Sequence, residues 1–388
     1  MIIHSADRLE EVQEYYFSKK LQQLRQMQAQ GHDIINLGIG NPDLSPSEPT
    51  IRKLIEAAQQ PKNHGYQPYK GVAEIRKAMA DWYSRSYGVT LESEQEILPL
   101  LGSKEGVMYI SMAFLNPDDE VLIPDPGYPT YGAVAKLLGA KLIYYDLKES
   151  NNWLPDLDLL EEADLSKVKI MWINYPNMPT GAKATDTLFT SLIAFANKHK
   201  ILICHDNPYS MILPFGAPKS ILAYEGAKAV ALELNSLSKS HNMAGWRVGW
   251  LSGDKAYIDT ILKVKSNVDS GMFLPVQLAA AEALNNTEEW HTQQNKIYKG
   301  RRKKVWEIME TLQCTFDKEQ VGLFVWGKAP AAVQQVEALI EKILHEAHVF
   351  ITPGFIFGKN GERYVRISLC NDEQVLQEAL HRIRKIYF

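Results

Sequence analysis

Cysteine is scarce in this chain, occurring only three times in 388 residues, at Cys204, Cys314 and Cys370. The three are far apart in the sequence and show no Cys-x-x-Cys spacing. Metal sites and disulfide frameworks both need cysteines or other ligands at characteristic spacings. We therefore predict no disulfide framework and no metal site.

Long apolar runs and concentrated charge of one sign are also absent. The longest apolar stretches fall well short of the ~20 residues that a membrane-spanning helix needs. The charged start, MIIHSADRLEEVQEYY, lacks the apolar core of a secretory signal. With 42 Lys and Arg against 46 Asp and Glu, the net charge is -4, and no basic tract occurs. We therefore expect a cytoplasmic protein that binds neither nucleic acid nor membranes.

The sequence does contain an alternation of two patterns. Apolar residues recur at helical spacing, for example at Val72, Ile75, Met79 and Trp82. Between such stretches lie short runs rich in β-branched and aromatic residues, which predict strands buried on both faces. These runs are 120–123, 141–145, 168–173, 201–204, 230–234 and 248–251. Strands that alternate with helices predict an α/β fold with a mostly parallel sheet wrapped by helices.

The chain is long enough for two domains, and its ends differ in pattern from its middle. We place a large α/β domain at residues 46–282. Residues 1–45 hold an amphipathic helix and an apolar run, while 283–388 begin with a polar helical stretch and contain strand-like segments at 322–326 and 364–369. We predict that these two ends pack together as a smaller α+β domain with an N-terminal arm.

Polar residues follow the predicted strands where each strand ends. In open parallel sheets, ligands bind outside the carboxyl ends of the strands. Five loops thus bring to one edge a lysine, an aspartate, tyrosines, serines and a Gly-Ser helix start. Taken singly, each residue has an ordinary explanation, since a lone lysine is usually a solvated charge and Asp206 or Asn174 could cap a turn. The loops are Gly102–Gly106, Pro124–Tyr128, Asn174–Gly181, His205–Tyr209 and Asn235–Lys239.

Together, these residue types meet the needs of one cofactor, a phosphorylated pyridine aldehyde. Such a cofactor needs an amine for its aldehyde, a carboxylate for its ring nitrogen and a cradle for its phosphate. Lys239 and Asp206 offer the first two groups. The phosphate dianion would accept charge-assisted hydrogen bonds from Ser236, Arg247 and the Gly102–Gly106 loop.

The segment Ser236-Leu237-Ser238-Lys239, followed by Gly245-Trp246-Arg247-Val248-Gly249, resembles the lysine signature of the class I/II aminotransferases of fold type I. These enzymes use pyridoxal 5'-phosphate (PLP). The resemblance runs from about residue 8 to the C-terminus. Further matching segments occur in the family's order at Tyr66–Gly71, Asn174–Gly181, Asp206–Tyr209 and Tyr364–Ser368.

The resemblance implies three catalytic residues. Lys239 would bind the cofactor covalently and then act as general base and acid. Asp206 would pair with the ring nitrogen and keep it protonated, and Tyr209 would donate to the phenolic oxygen of the ring. The other residues that the resemblance assigns to the cofactor are Ser103, Lys104, Ser236, Ser238 and Arg247 at the phosphate, Tyr128 stacked on the ring, Asn174, and Tyr66 of a neighbouring subunit.

The resemblance also implies a substrate site that two subunits share. Arg366 would clamp the substrate α-carboxylate with its planar fork, and the backbone around Gly40 would contact the same group. Asn267 would act across the interface of a homodimer. Within the family, the loops at 102–106 and 124–129 most resemble the LL-diaminopimelate branch, in which residues at the places of Tyr15 and Lys104 touch substrate. Tyr128 would also contact substrate.

One position departs from the family pattern. The family usually has Asn directly before Pro-Thr-Gly, where its amide meets the phenolic oxygen of the ring and the substrate carboxylate. This chain has Met178 there, and a thioether cannot donate a hydrogen bond. Either Asn177 or Asn174 compensates, or Tyr209 alone serves that oxygen.

We therefore predict an aminotransferase that moves an amino group between an L-amino acid and a 2-oxo acid, linked to glutamate and 2-oxoglutarate. LL-diaminopimelate is the leading specific substrate, and a general glutamate-linked transaminase is an equally tenable alternative. A different class of alternative is a PLP-dependent lyase or β-eliminase, because one fold can break different Cα bonds. A non-catalytic sensor domain would need an attached DNA-binding module, and the sequence has no basic helix-turn-helix segment.

Overall fold

The computed structural model describes residues 2–10, 12, 14 and 16–387. Helices and strands alternate through most of these residues. The helices are α1 (Tyr16–Ala29), α2 (Glu48–Ala58), α3 (Ala73–Tyr87), α4 (Ser103–Phe114), α5 (Pro129–Leu137), α6 (Leu157–Glu161), α7 (Asp186–His199), α8 (Ala227–Val230), α9 (Leu237–Ser240), α10 (Lys255–Lys265), α11 (Leu274–Ala283), α12 (Glu288–Thr311), α13 (Val336–Ala347) and α14 (Glu373–Tyr387). The strands are β1 (Ile35–Asn36), β2 (Ile97–Leu100), β3 (Glu120–Asp125), β4 (Lys141–Asp146), β5 (Val168–Ile173), β6 (Leu202–Asp206), β7 (Ala231–Ser236), β8 (Gly249–Gly253), β9 (Phe324–Lys328), β10 (Val349–Phe350), β11 (Thr352–Pro353) and β12 (Tyr364–Ser368).

Seven strands form the main sheet, in the order β2-β8-β7-β6-β5-β3-β4. Strands β3 to β7 pair in parallel, whereas β8 runs antiparallel to both β7 and β2. The predicted α/β fold with a mostly parallel sheet is confirmed. Because β3, β5, β6 and β7 are neighbours and point the same way, the loops that follow them meet at one edge.

The amphipathic helices cover this sheet as their apolar spacing predicts. In α7, the Thr185 hydroxyl accepts a hydrogen bond from the Leu188 N–H and caps the first turn. Leu188, Leu192 and Phe195 are buried, one helical turn apart. Burial of this stripe against the sheet stabilises the helix.

The prediction that every strand is buried on both faces is wrong for β4. Strands β6 and β7 are buried along their whole length, but β4 lies at the edge of the sheet and exposes Lys141, Asp146 and Tyr144, the last by 57%. The other edge strand, β2, is buried along its whole length and packs against α3, α4 and α10, whereas β4 packs mainly against α5.

The two ends of the chain come together outside the main sheet. Strand β1 pairs in parallel with β10, and β11, β12 and β9 form an antiparallel sheet. Apolar residues of α1, such as Phe17 and Leu24, share one core cluster with Leu376 and other residues of the C-terminal part. We propose the division into a domain of 46–282 and a smaller domain of 1–45 and 283–388, and this distribution of core residues supports it.

Within the described ranges, no helix is both long and apolar enough to cross a bilayer. Cys204, Cys314 and Cys370 are all buried and unpaired with one another. Among the described residues there is also no group of three or more His, Cys, Asp or Glu side chains arranged to hold a metal ion.

Candidate active site

A cavity of about 470 Å³ opens at the carboxyl edge of the main sheet. Most of the residues that the sequence assigned to the site line it. Residues from the loops of the large sheet therefore meet residues from both chain ends. The assigned residues in the lining are Gly40, Ser103, Lys104, Tyr128, Asn174, Asp206, Tyr209, Ser236, Ser238, Lys239, Arg247 and Arg366.

Two of the described residues that were assigned to the site are not part of this lining. Tyr66 is 92% exposed, and Asn267 is exposed with its amide donating to the Lys263 carbonyl oxygen at 2.8 Å. Both were expected to act in a neighbouring subunit, and that role stays a prediction. Tyr15 lies outside the described residues.

Other residues reach the cavity that the sequence analysis did not assign. Tyr131 lies one helical turn after Tyr128, and this spacing is the one signal that could have found it. Phe324 and Phe357 come from distant parts of the chain, where no local motif marks them. The further lining residues are Phe17, Ser18, Leu21, Ile39, Met178, Pro208 and Ala244.

Asp206 ends β6 and carries a carboxylate that is buried. Its Oδ2 accepts a hydrogen bond from the Tyr131 hydroxyl at 2.8 Å, and the Tyr131 ring stacks on Trp172 with centroids 4.8 Å apart. Its Oδ1 is buried without a hydrogen-bond partner among the described residues. Burial raises the pKa of Asp206 to about 6, against the lowering effects of the Tyr131 hydrogen bond and His205. The carboxylate can therefore accept one more donor, and a cation would suit it best.

Lys239 lies in the short helix α9, directly after β7, and is half-buried. Its Nζ donates a hydrogen bond to the Gly40 carbonyl oxygen. Burial lowers the pKa of the Lys239 amine, and the positive charges of Arg366 and Arg247 lower it further. A lowered pKa makes a neutral, nucleophilic amine more accessible near neutral pH.

Ser236, Ser238 and Arg247 form one wall of the cavity beside Lys239. The Ser236 hydroxyl accepts a hydrogen bond from the Ser238 N–H at 3.1 Å and so caps α9. The Arg247 Nη1 lies 3.5 Å from the Ser238 hydroxyl oxygen. Hydroxyl and guanidinium groups therefore line the same part of the cavity.

The start of α4 completes this region. Gly102 precedes the helix with a φ of 92°, and a Cβ there would lie 2.2 Å from the Arg247 Nη2. Only glycine lets the guanidinium lie so close to the helix start. Burial and nearby Arg247 lower the pKa of the Lys104 amine in the first turn. A helix N-terminus with nearby cations is a typical phosphate site.

Arg366 approaches from β12 and is 4% exposed. Its guanidinium carbon lies 4.0 Å from the ring centre of Phe324 and 4.6 Å from that of Phe357. Its Nη2 donates to the Gly38 carbonyl oxygen at 2.7 Å. These contacts hold a planar cation at the cavity wall, where it can bind a carboxylate with two parallel hydrogen bonds.

Comparison with known proteins shows the family of this chain. The family model described as aminotransferase class I and II matches residues 32–383. The chain belongs to this family. The LL-diaminopimelate aminotransferase of Halothermothrix orenii is 39% identical over 383 residues, which cover 98% of each chain.

Solved structures give the same result. Substrate-bound BacF from Bacillus subtilis matches with a TM-score of 0.96 and 35% identity, covering 99% of this chain and 98% of that one. An aromatic aminotransferase from Pyrococcus horikoshii matches with a TM-score of 0.86 and 28% identity, covering 94% and 98%. The predicted aminotransferase class and its dependence on PLP are thereby confirmed. The lyase alternative is not favoured, since these relatives are named as aminotransferases.

The residues of this aminotransferase fit PLP. The unpartnered Oδ1 of Asp206 suits a protonated ring nitrogen, and Lys239 supplies an amine in the same cavity. The hydroxyl and guanidinium groups at the start of α4 suit a phosphate dianion. Tyr128, which meets Tyr131 edge-on at 5.5 Å, provides an aromatic face in the lining.

Met178 marks where this aminotransferase departs from the family pattern. The side chain of Asn174 accepts from the Met178 N–H at 2.7 Å and donates to the Asp206 carbonyl oxygen at 2.6 Å. The side chain of Asn177 donates to the Asn174 carbonyl oxygen and accepts from Thr180. The Asn177 side chain thus binds its own loop, while that of Asn174 joins the loop to the end of β6. This geometry favours Tyr209 as the donor to the phenolic oxygen.

Proposed function

We propose that the protein transfers the amino group of an L-amino acid to a 2-oxo acid in this cavity, with Lys239, Asp206 and Tyr209 as catalytic residues. One observation carries the proposal. A buried carboxylate oxygen without a partner and a lysine amine with a lowered pKa line the same cavity, beside an arginine suited to a carboxylate. Ordinary core packing does not require this combination.

PLP, when bound, withdraws electrons from the Cα of an attached amino acid and so makes its Cα–H acidic. Lys239 would take that proton on its Nζ and return it at the neighbouring carbon, as general base and then general acid. Its lowered pKa favours the neutral amine that the first transfer needs. Asp206 would hold the proton on the ring nitrogen, because its buried charge favours a cation. Tyr209 would donate to the phenolic oxygen.

Arg366 would bind and orient the substrate α-carboxylate. Its contacts with two aromatic rings restrict the guanidinium, so less entropy is lost on binding. The loop around Gly40 lies beside it, and a Cβ at Gly40 would lie 2.3 Å from Phe324. A larger residue there would displace the ring that packs on Arg366.

LL-diaminopimelate is the leading specific substrate. The similarity to an enzyme named for that substrate, over nearly the full length of both chains, supports this choice. Lys104 lines the cavity and offers a cation for a second carboxylate, and Tyr128 lines the same region. Tyr15 would add a contact from the N-terminal arm.

A glutamate-linked transfer from apolar amino acids is the second candidate. The observation that favours this candidate is that much of the cavity wall near Arg366 is apolar. The apolar side chains in that wall are Phe17, Leu21, Ile39, Phe324 and Phe357. Such a surface binds aromatic or aliphatic side chains by excluding water.

The half-reaction tests the function without any assumed partner. The purified PLP-loaded protein is mixed with one amino acid at a time, and the visible absorbance of the cofactor is followed. Conversion by LL-diaminopimelate and glutamate supports the leading substrate, whereas faster conversion by phenylalanine or leucine supports the second candidate. Release of pyruvate or ammonia without conversion would overturn the aminotransferase proposal in favour of a lyase.

We also propose a homodimer in which Tyr66 and Asn267 serve the partner's active site. The near-complete exposure of the Tyr66 ring supports this assignment. Mixing equal amounts of Lys239→Ala and Tyr66→Ala subunits should restore up to about a quarter of the wild-type activity, since half of the randomly assorted dimers are hybrids and each hybrid has one intact site of two. No restored activity would mean that Tyr66 does not act across an interface. The cytoplasmic location remains a prediction from the sequence.

A further inference from the structure

The side chain of Met178 contacts the guanidinium that we assign to the substrate carboxylate. The Arg366 Nη1 donates to the Met178 Sδ at 3.1 Å, while its Nη2 donates to the Gly38 carbonyl oxygen at 2.7 Å. Two contacts at different nitrogens define the plane of the guanidinium. The rings of Phe324 and Phe357 pack against the group but accept no directional hydrogen bond.

The position of the sulfur is itself fixed. Met178 is buried, and its backbone N–H donates to the Asn174 side-chain oxygen at 2.7 Å. The Asn174 amide in turn donates to the carbonyl oxygen of Asp206 at 2.6 Å. A chain of contacts therefore connects the end of β6, which carries the carboxylate for the ring nitrogen, to the guanidinium on β12.

A thioether differs from an amide in what it can do at this place. Its sulfur is a weak acceptor and cannot donate, so it can orient an arginine but cannot bind a substrate carboxylate. It also competes little with a carboxylate, which is a far stronger acceptor for guanidinium N–H groups. The sulfur can thus hold the plane of Arg366 until substrate binds.

We propose that Met178 is a positioning residue for Arg366 and sets the affinity of the enzyme for the substrate α-carboxylate. This inference rests on the proposed function of Arg366 as the carboxylate clamp. In this enzyme the carboxylate is bound by an arginine oriented through sulfur, without an amide donor from residue 178.

Met178→Leu tests the proposal, because leucine has nearly the same volume but no acceptor. The PLP-loaded enzyme is titrated with glutarate, a carboxylate that has no amino or oxo group to react, and binding is measured by calorimetry. We expect about three- to tenfold weaker binding in the variant, because a guanidinium without this orienting contact must be ordered when glutarate binds. KM for the amino acid should rise by a similar factor, while kcat changes by less than about twofold.

Met171→Leu is the matched control, since Met171 lies in β5, is fully buried and does not line the cavity. It should bind glutarate like the wild type. Arg366→Lys should lose most of the binding, which locates the glutarate at the clamp. Met178→Gln places an acceptor oxygen at a reach similar to that of the sulfur, so this variant should bind glutarate at least as tightly as the wild type. It therefore tests the proposal even if the leucine variant fails to fold.

Equal glutarate affinity in the wild type and Met178→Leu would overturn the proposal, as would a Gln variant that binds more than threefold more weakly. A wild-type enzyme that binds no glutarate overturns it too, because Arg366 would then not be a carboxylate clamp. Absence of amino transfer with every amino acid would instead overturn the proposed function, and the comparison of glutarate affinities would still decide the role of Met178.

Discussion

The buried carboxylate of Asp206 should destabilise the cofactor-free protein at neutral pH. Burial raises its pKa from 3.8 to about 6. The folded state therefore holds this proton more tightly than the unfolded chain does, and stability falls as the pH rises from about 4 to about 6. One pKa unit corresponds to about 1.4 kcal/mol, so a shift of roughly two units lowers the free energy of unfolding by about 3 kcal/mol above pH 6.

Asp206→Asn removes this charge and keeps an oxygen that can accept from the Tyr131 hydroxyl. The cofactor-free variant should be about 3 kcal/mol more stable than the wild type at pH 8, and nearly equal to it at pH 4. Chemical denaturation of both cofactor-free proteins from pH 4 to pH 8 measures the difference. With PLP bound the order should reverse, because the ring nitrogen loses its anionic partner, and activity should fall by about 10²-fold or more.

An exposed carboxylate provides the control. Asp158→Asn removes an exposed charge on α6 and should change stability by no more than about 0.5 kcal/mol at any pH. The reasoning fails if Asp206→Asn is not more stable at pH 8 without cofactor. It also fails if the gain is the same at pH 4 and pH 8, because a gain from removing a buried charge must follow the titration of that charge.

Three further results are expected. Lys239→Ala should abolish covalent attachment of PLP and lower activity by at least about 10²- to 10⁴-fold. Mass spectrometry after chemical reduction detects the covalent adduct, and a normal adduct in the variant would refute Lys239 as the attachment site. Gly102→Ala should weaken PLP binding by about tenfold or more, because the added Cβ would lie 2.2 Å from the Arg247 Nη2. Gly245→Ala is the control and should bind PLP normally, since no atom lies within 4 Å of its added Cβ. Tyr209→Phe should raise the pH at which the absorbance of the bound cofactor titrates, since a donor to the phenolic oxygen is lost, and an unchanged titration would point to another donor.

The sheet and much of the site could be predicted from the sequence because both depend on local pattern. A buried parallel strand is a short apolar run, and Asp206 and Lys239 lie at or just beyond the ends of β6 and β7. Parallel neighbours place their carboxyl ends at one edge whatever lies between them. The grouping of these loops therefore follows from chain order and strand direction.

Properties that depend on the tertiary arrangement could not be predicted in this way. The exposure of β4 depends on which helices cover that edge of the sheet, and the run Lys141–Asp146 does not reveal this. Phe324 and Phe357 reach Arg366 only because three strands from the C-terminal part pack together. The contact of Met178 with Arg366 joins residues 188 positions apart, and no spacing in the sequence indicates it.

The two sides of the cavity are joined by hydrogen bonds that do not involve any ligand. Asp125, at the end of β3, accepts from the N–H groups of Lys359 and Asn360 at 3.0 and 2.9 Å. In the same place the Gly127 N–H donates to the Phe357 carbonyl oxygen at 2.8 Å. These bonds tie the segment that carries Phe357, and through its ring the guanidinium of Arg366, to the edge of the main sheet. Since the residues proposed to hold PLP lie along that edge, the fold itself fixes the proposed carboxylate clamp, Arg366, relative to the proposed cofactor site.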